Sequence, residues 1–363
     1  MIKTLGNNIV NAFTGGNPVK AIYTYGEKVW PITTERSYYI SWTPSNISGT
    51  FSMFGQTYNL EDYSGYYSWM GDINSAKITS NAFKGISLTS IKTNVEIIED
   101  NAFENCTSLS RISASNILYI SNNAFRSCGL LSINFPVCSY IGEYAFAYCK
   151  SLSKANLPKV LCVSKQAFYS GKSLSILLPK CSVIGNKAFE NLGGRNLYIS
   201  CPVCERYETQ CFNNAHLTSA DKMDFTSCKY IGDFAFGSAA IGLYTSYPIF
   251  EFPNCSYIGG GAFEDCGFKY IKLSNVKYIG GYAFKYTVDN WKPGYELKNR
   301  VISIYTDSVC SLGNSEAFVA YRLSTSTWIS GTQEVNVPSS LLSSYKSANI
   351  WSEISDIIKA IPS

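Results

Sequence analysis

The sequence predicts a mainly β protein: a solenoid of short strands joined by helical or turn segments, with a small β module before it and a helical cap after it. Three observations predict this fold. A short phrase, IGxxAF, recurs at near-constant spacing; an alternating apolar segment ending in Pro sits between its copies; and cysteines recur in register with both. A chain of 363 residues exceeds the usual single core and must split into domains or extend by repetition.

Residues 1–75 lack the phrase and are read as an attachment or capping β module. Within them, 11–31 alternates like a strand, turns at Tyr25-Gly26-Glu27, and resumes as a second strand stopped by Pro31, which predicts a β-hairpin. Residues 38–72 concentrate Tyr38, Tyr39, Trp42, Phe51, Phe54, Tyr66, Tyr67 and Trp69 among turn residues, as expected of a small β unit covering the first repeat.

Residues 76–331 are read as the solenoid. Clean copies of the phrase end in Phe146, Phe189, Phe236, Phe263 and Phe284, and looser copies in Phe83, Phe103, Phe125, Phe168 and Phe318. Successive phenylalanines Phe103, Phe125, Phe146, Phe168 and Phe189 are 22, 21, 22 and 21 residues apart, a period inside the leucine-rich-repeat range. Between phrases, Leu131-Ser-Ile-Asn-Phe-Pro136, Leu152-Ser-Lys-Ala-Asn-Leu-Pro158, Leu174-Ser-Ile-Leu-Leu-Pro179 and Phe250-Glu-Phe-Pro253 alternate with period two, the pattern of a half-buried strand, and a Pro at a strand end owes the ladder no donor. In the phrase, Gly is expected to permit the turn, Ala to let neighbouring coils approach, and Phe to fill the wedge between them. Residues 332–363 read as a last strand and a helix closing the open end of the core, which solenoids require.

Thirteen cysteines cannot all pair within one chain. Cys106, Cys128, Cys149 and Cys266 each lie three residues after a repeated Phe, and Cys138, Cys181 and Cys255 recur just after a strand. That recurrence predicts small buried side chains stacked coil on coil, with disulfides or metal as the alternatives.

These residues resemble the BspA-like subfamily of bacterial leucine-rich repeats, marked by a strand ending in Leu-Pro followed by IGxxAFxxC. The resemblance covers about 78–361 and loosens at 241–248 and 287–298, where insertions lengthen the coil. It implies a parallel sheet on a concave face and a non-enzymatic surface protein that binds host or matrix ligands. Residues 1–75 are similar to short N-terminal segments of virion proteins from phages of gut bacteria.

Composition narrows the function. Charged residues make up 15% and the net charge is +4, without a Lys/Arg-rich run, which argues against nucleic acid or lipid headgroups as partners. No apolar stretch of export-signal length follows Met1-Ile2-Lys3, and no run approaches a membrane span, so neither an export signal nor a membrane anchor is expected. A single histidine, His216, leaves no Ser-His-Asp or Cys-His constellation. Cys201, Cys204, Cys211 and His216 carry ligand types suited to zinc, but the repeat register already gives Cys201 and Cys204 structural positions. No cofactor is therefore expected. Glu143, Asp233 and Glu264, acids that a glycosidase would need, fall in turns of different coils, and Gly259-Gly260-Gly261 lacks the Lys-Ser/Thr of a phosphate loop.

The open strand face is the expected binding surface. Counting back two and four residues from each strand-end Pro or its equivalent selects Arg111 and Ser113, Ser132 and Asn134, Lys154 and Asn156, Ser175, Tyr198 and Ser200, Lys222 and Asp224, Glu251, Tyr270 and Lys272, and Glu334 and Asn336. Tyr198 and Tyr270 lead this set, because a rigid amphipathic ring gives contact area at low entropy cost. The expectation is a binding or attachment protein: a phage fibre, tail or decoration component recognising a bacterial or mucosal protein or glycan, docked to other virion or surface proteins through residues 1–75 and so part of an oligomer or larger assembly. A bacterial cell-surface adhesin and a purely structural virion part are the alternatives.

Overall fold

A coil of about 22 residues has room for two strands only if both are short, and the computed structural model of the chain shows two such strand positions in most coils. It describes residues 36–361 except 44–48, 64, 72–74, 173, 194–197, 218–222, 242–248, 267, 269, 288–299, 319, 323–326 and 330–332. Within 1–35 it describes the backbone strands Ile2–Leu5, Asn8–Thr14, Asn17–Pro18, Ala21–Thr24 and Glu27–Pro31; the last two pair antiparallel, with Ile22 opposite Trp30, as the expected hairpin requires. The insertions expected at 241–248 and 287–298 fall almost wholly outside the described residues. Among the described residues no helix is long and apolar enough to cross a membrane.

Eleven of the two-residue strands form one parallel sheet, from Lys77–Ile78 through Tyr140–Ile141 and Tyr230–Ile231 to Ser311–Leu312. In each the second residue is buried and the first is wholly or partly exposed, the alternation that a one-sided sheet demands. The longer strands make the other face in three hydrogen-bonded groups. The first places Arg36–Thr43 between Tyr66–Gly71 and Ser90–Thr93, with Arg111–Ser113 beyond; the second is Ser132–Asn134, Lys154–Asn156, Ser175–Leu177 and Tyr198–Ser200. The third runs from Ile249–Phe252 and Tyr270–Leu273 through Arg300–Ile304 and Gln333–Val337 to Ile358–Ala360.

The IGxxAF segments close the coils as linked turns that hydrogen-bond coil to coil: Phe103 N–H donates to Ala124 O at 2.8 Å, Phe125 to Ala145 O at 2.9 Å and Phe146 to Ala167 O at 2.8 Å. Here the expected role of glycine is corrected. The left-handed residue of the turn is the one before Ala, as in Asn101 (φ 56°), Tyr144 (φ 56°) and Lys187 (φ 57°). The phrase glycine serves close approach instead: a Cβ on Gly142 would lie 2.6 Å from Ser121 C, and one on Gly232 2.7 Å from Thr209 N in the preceding coil.

Phenylalanine forms the spine of the core. Phe83, Phe103, Phe125, Phe146, Phe168, Phe189, Phe212, Phe236, Phe263, Phe284 and Phe318 stack in order, Phe103 and Phe125 at 5.3 Å and 5°, for example. Both ends of the stack are covered by aromatic rings. Phe51 lies on Phe83 at 5.1 Å and 8°, with Trp42 at 5.7 Å, while Trp351 lies on Phe318 at 5.6 Å.

Twelve of the thirteen cysteines are buried, Cys162 is half-buried, and all are free thiols. The recurrence has a polar reason besides size: Cys106, Cys128 and Cys149 donate to the carbonyls of Phe83, Phe103 and Phe125 in earlier coils at 2.9, 3.0 and 3.0 Å. Burial pushes the Cys138, Cys149 and Cys181 thiols up to about 12, so they stay protonated donors at neutral pH.

At the C-terminus a strand and the helix Leu342–Ser347 occur as expected, but the chain then turns through Trp351–Ile354 and adds the strand Ile358–Ala360 in parallel beside Gln333–Val337. Trp351 is fully buried and its Nε1 donates to Cys310 O at 2.7 Å. The cap is thus held by packing, by a hydrogen bond and by sheet pairing.

Candidate functional site

Outward positions of the longer strands line up in rows because the strands are parallel and in register. Ser132, Lys154, Ser175 and Tyr198 form one row; Asn134, Asn156, Leu177 and Ser200 form the next. Ser132, Asn134 and Lys154 are exposed, Asn156, Ser175, Tyr198 and Ser200 are half-buried, and the Asn156 amide donates to Asn134 Oδ1 at 2.8 Å. Leu177, two residues before Pro179, shares this face and is 47% exposed. The counting rule reached its position, and its apolar character led the reading past it.

Towards the N-terminus, Arg111 stands beside Ser90 and Ser113 beside Lys92, all in register. The antiparallel strand Arg36–Thr43 continues both rows, Thr43 opposite Ser90 and Ser41 opposite Lys92. Tyr66, half exposed, lies opposite Ser41 on the outer strand. A groove of about 480 Å³ opens here, lined by these serines with Thr43, Lys92 and Arg111. Lys92 and Ser41 are absent from the sequence-selected set, and Tyr66 was read only as one of the aromatics of the N-terminal β unit.

Towards the C-terminus, Glu251, Lys272, Ser303, Asn336 and Lys359 form one row and Ile249, Tyr270, Val301 and Glu334 another. Acids and cations pair here: Lys272 Nζ lies 3.5 Å from Glu251 and 5.2 Å from the Tyr305 ring centroid, and Lys359 Nζ lies 2.6 Å from Glu334. Hydrogen bonds from Lys359 and Asn336 hold the Glu334 carboxyl below its ordinary value against the opposing effect of burial. Ile249 is 63% exposed and was missed.

Two expected positions change. Asn336 is buried, because Lys359 on the added strand pairs beside it, so it does not offer its side chain to a ligand. Asp224 is exposed and outside any strand, and it accepts the Thr226 N–H at 2.8 Å; among the described residues no strand of the long-strand face lies between Ser200 and Ile249. Lys222 falls outside the described residues.

The zinc-like set does not converge. Cys201 Sγ lies 3.6 Å from Tyr207 Oη, Cys204 donates to Arg206 O at 3.4 Å and Cys211 to Ala235 O at 3.7 Å, whereas His216 is exposed on a strand paired with Ala240–Ile241. Burial pushes the Cys204 and Cys211 thiols up, whereas a hydrogen bond with Cys204 lowers that of Cys201. Among the described residues no three His, Cys, Asp or Glu side chains are grouped to hold a metal ion. The acids considered for glycoside cleavage are also separate: Asp233 accepts Gly260 N–H at 2.7 Å, Glu264 pairs with Lys285 at 3.2 Å, and Glu143 is an exposed turn residue.

The opposite face carries a row that the sequence reading did not consider. Tyr230, Tyr257 and Tyr278 stack at 4.9 and 5.1 Å, and the Arg206 guanidinium lies over Tyr230 at 4.2 Å. Their faces are occupied by one another, so the row braces successive coils.

No curated protein matches the chain. Among solved structures, the pneumococcal vaccine antigen PcpA is similar at 16% identity, covering 87% of this chain and 88% of that one, with a TM-score of 0.37. A leucine-rich repeat protein from Bacteroides ovatus is similar at 16% identity over 87% and 91%, with a TM-score of 0.25. The family model described as BspA type leucine rich repeat region (6 copies) matches residues 76–197 and 163–290. It begins at residue 76 and so lends nothing to the similarity with virion proteins expected of residues 1–75. Because that match extends over more than half of its length, with the phrase, the stacked phenylalanines and the thiol ladder all in place, the chain belongs to the BspA-type leucine-rich-repeat family.

Proposed function

We propose that this chain is a binding protein of a bacterial surface or the extracellular space, and that its long-strand face holds a protein or glycan ligand. The observation that carries this reading is the pair of in-register rows on that face, one with Lys154 exposed and half-buried Tyr198 at its end, the other with Leu177 exposed. Rigid rows of this kind are pre-organised, so binding orders few side chains. Residues 1–31, ahead of the strand that closes the first coil, serve as the tether to a cell envelope or a larger assembly. The reading is of a binder rather than an enzyme: Asp233 and Glu264 are each engaged in coil-to-coil contacts.

The test is adherence of beads coated with the chain to epithelial cells and to immobilised extracellular matrix. Tyr198→Ala and Tyr270→Ala should each reduce adherence several-fold with unchanged circular dichroism. Unchanged adherence in both variants would overturn the assignment of this face.

A further inference from the structure

We infer that the groove at the join between residues 36–71 and the first coils is a site for an acidic glycan. This rests on the reading of the long-strand face as the binding face and names the ligand class for one end of it.

The charge pattern is the first argument. Lys92 and Arg111 are both exposed, and neither enters an ion pair among the described residues, although Lys272 and Lys359 at the far end of the same face are each paired with a carboxylate. From Tyr66–Gly71 to Tyr198–Ser200 no Asp or Glu occupies a described outward strand position. Because Lys92 faces Ser113 and Arg111 faces Ser90, the two cations sit on a diagonal about 8 Å apart at their Cα atoms by strand geometry. Two like charges held that close on a rigid sheet favour an anion between them, and a guanidinium matches carboxylate or sulfate oxygens in a bidentate fork.

The lining chooses a sugar over an acidic protein. Ser41, Thr43, Ser90 and Ser113 surround the cations with hydroxyls, each both donor and acceptor, as a polyol requires. Thr43 and Ser90 already share a hydrogen bond of 2.6 Å, which fixes their orientation. The groove is shallow and open, and its volume of about 480 Å³ lies in the range of small-ligand sites, about 300–1,000 Å³. Tyr66, 50% exposed and two strands from Lys92, lies beside the groove about 10 Å from the ammonium-bearing strand; one face of its ring stacks on Tyr39 at 5.9 Å, and a neighbouring sugar ring would pack on the other.

Calorimetric titration of the full chain tests this with oligogalacturonate, a heparin hexasaccharide, maltohexaose and hexaglutamate as probes. At least one acidic oligosaccharide should bind, with affinity falling as salt rises, and maltohexaose and hexaglutamate should bind at least ten-fold more weakly. Binding of oligogalacturonate would show that carboxylates suffice, and binding of heparin alone would show that sulfate is needed. The double variant Lys92→Ala/Arg111→Ala should lose at least ten-fold and Tyr66→Ala several-fold, while Lys165→Ala/Lys180→Ala, which removes equal charge elsewhere, should bind as the unaltered chain does. Absence of binding by both acidic sugars, full binding by Lys92→Ala/Arg111→Ala, or equal binding of hexaglutamate with no effect of Tyr66→Ala would each overturn the inference. Adherence that depends on Tyr198 and Tyr270 without any binding of acidic sugar would leave the face reading standing and remove this inference alone.

Discussion

Glu104 follows Phe103 on the turn side and is buried between cations of the two neighbouring coils, Lys84 and Arg126, each at 2.9 Å. Burial pushes its carboxyl up, but the hydrogen bonds from Lys84 and Arg126 outweigh that and hold it below the ordinary carboxylate value of 4.5. A carboxyl whose pKa is depressed by folding stabilises the fold above its unfolded-state pKa, and the contribution disappears as pH falls through the folded value. Glu104→Gln should therefore lower stability at pH 7 by roughly 1–3 kcal/mol, the worth of hydrogen bonds to a charged group. In thermal melts from pH 7 down to pH 3 the gap between variant and unaltered chain should close below about pH 4.5; a gap that stays constant would contradict the clamp. The Lys84, Glu104, Arg126 alternation was present in the sequence at the position after each Phe. It was passed over because that position reads as turn surface when one coil is considered alone, and its partners lie 20 and 22 residues away. Cysteine was easier to place, because recurrence in one slot already implies stacking.

At the scale of the repeat, spacing was legible and contact distance was not. Period, strand position and the Phe stack follow from residues that recur at fixed offsets, and the structure places each of them in the core. The reason for the phrase glycine lies between coils, so a reading of a single coil assigned it to the turn. Gly232→Ala should show the difference. Its Cβ would meet Thr209 N at 2.7 Å and Glu208 C at 2.9 Å, backbone atoms that cannot swing aside, and overpacking of this kind costs about 1–3 kcal/mol. Gly193, where a Cβ would meet nothing within 4 Å, is the control. Chemical denaturation should find Gly232→Ala clearly destabilised and Gly193→Ala close to the unaltered chain, and equal effects would sink the close-approach account. The face positions divide in the same way. Rows anchored by a strand-end Pro were found, whereas Asn336 was misjudged because the strand that covers its flank comes 22 residues later.

For the whole molecule, the Phe stack sets what can be removed. A stack of eleven rings has two open ends, and each exposes an aromatic face and a sheet edge unless something covers it. Arg36–Thr43 covers the first by pairing with Ser90–Thr93 while Phe51 and Trp42 lie on Phe83; Trp351 and Ile358–Ala360 cover the last. Sequence composition separated residues 1–75 from the repeats as one block, because aromatic-rich strands without the phrase look foreign to it. Contacts divide that block, since residues 36–71 complete the core and the strands within 1–31 pair among themselves. A chain beginning at residue 36 should then remain folded and monodisperse, with a melting midpoint within a few degrees of the full chain. A chain beginning at residue 76, or ending at residue 331, should expose Phe83 or Phe318 and aggregate or fail to express in soluble form, as gel filtration would show. If the chain beginning at residue 76 elutes as a folded monomer, the aromatic cover on Phe83 is dispensable, and residues 36–71 are present for the groove that carries Ser41 and Thr43 rather than for the core.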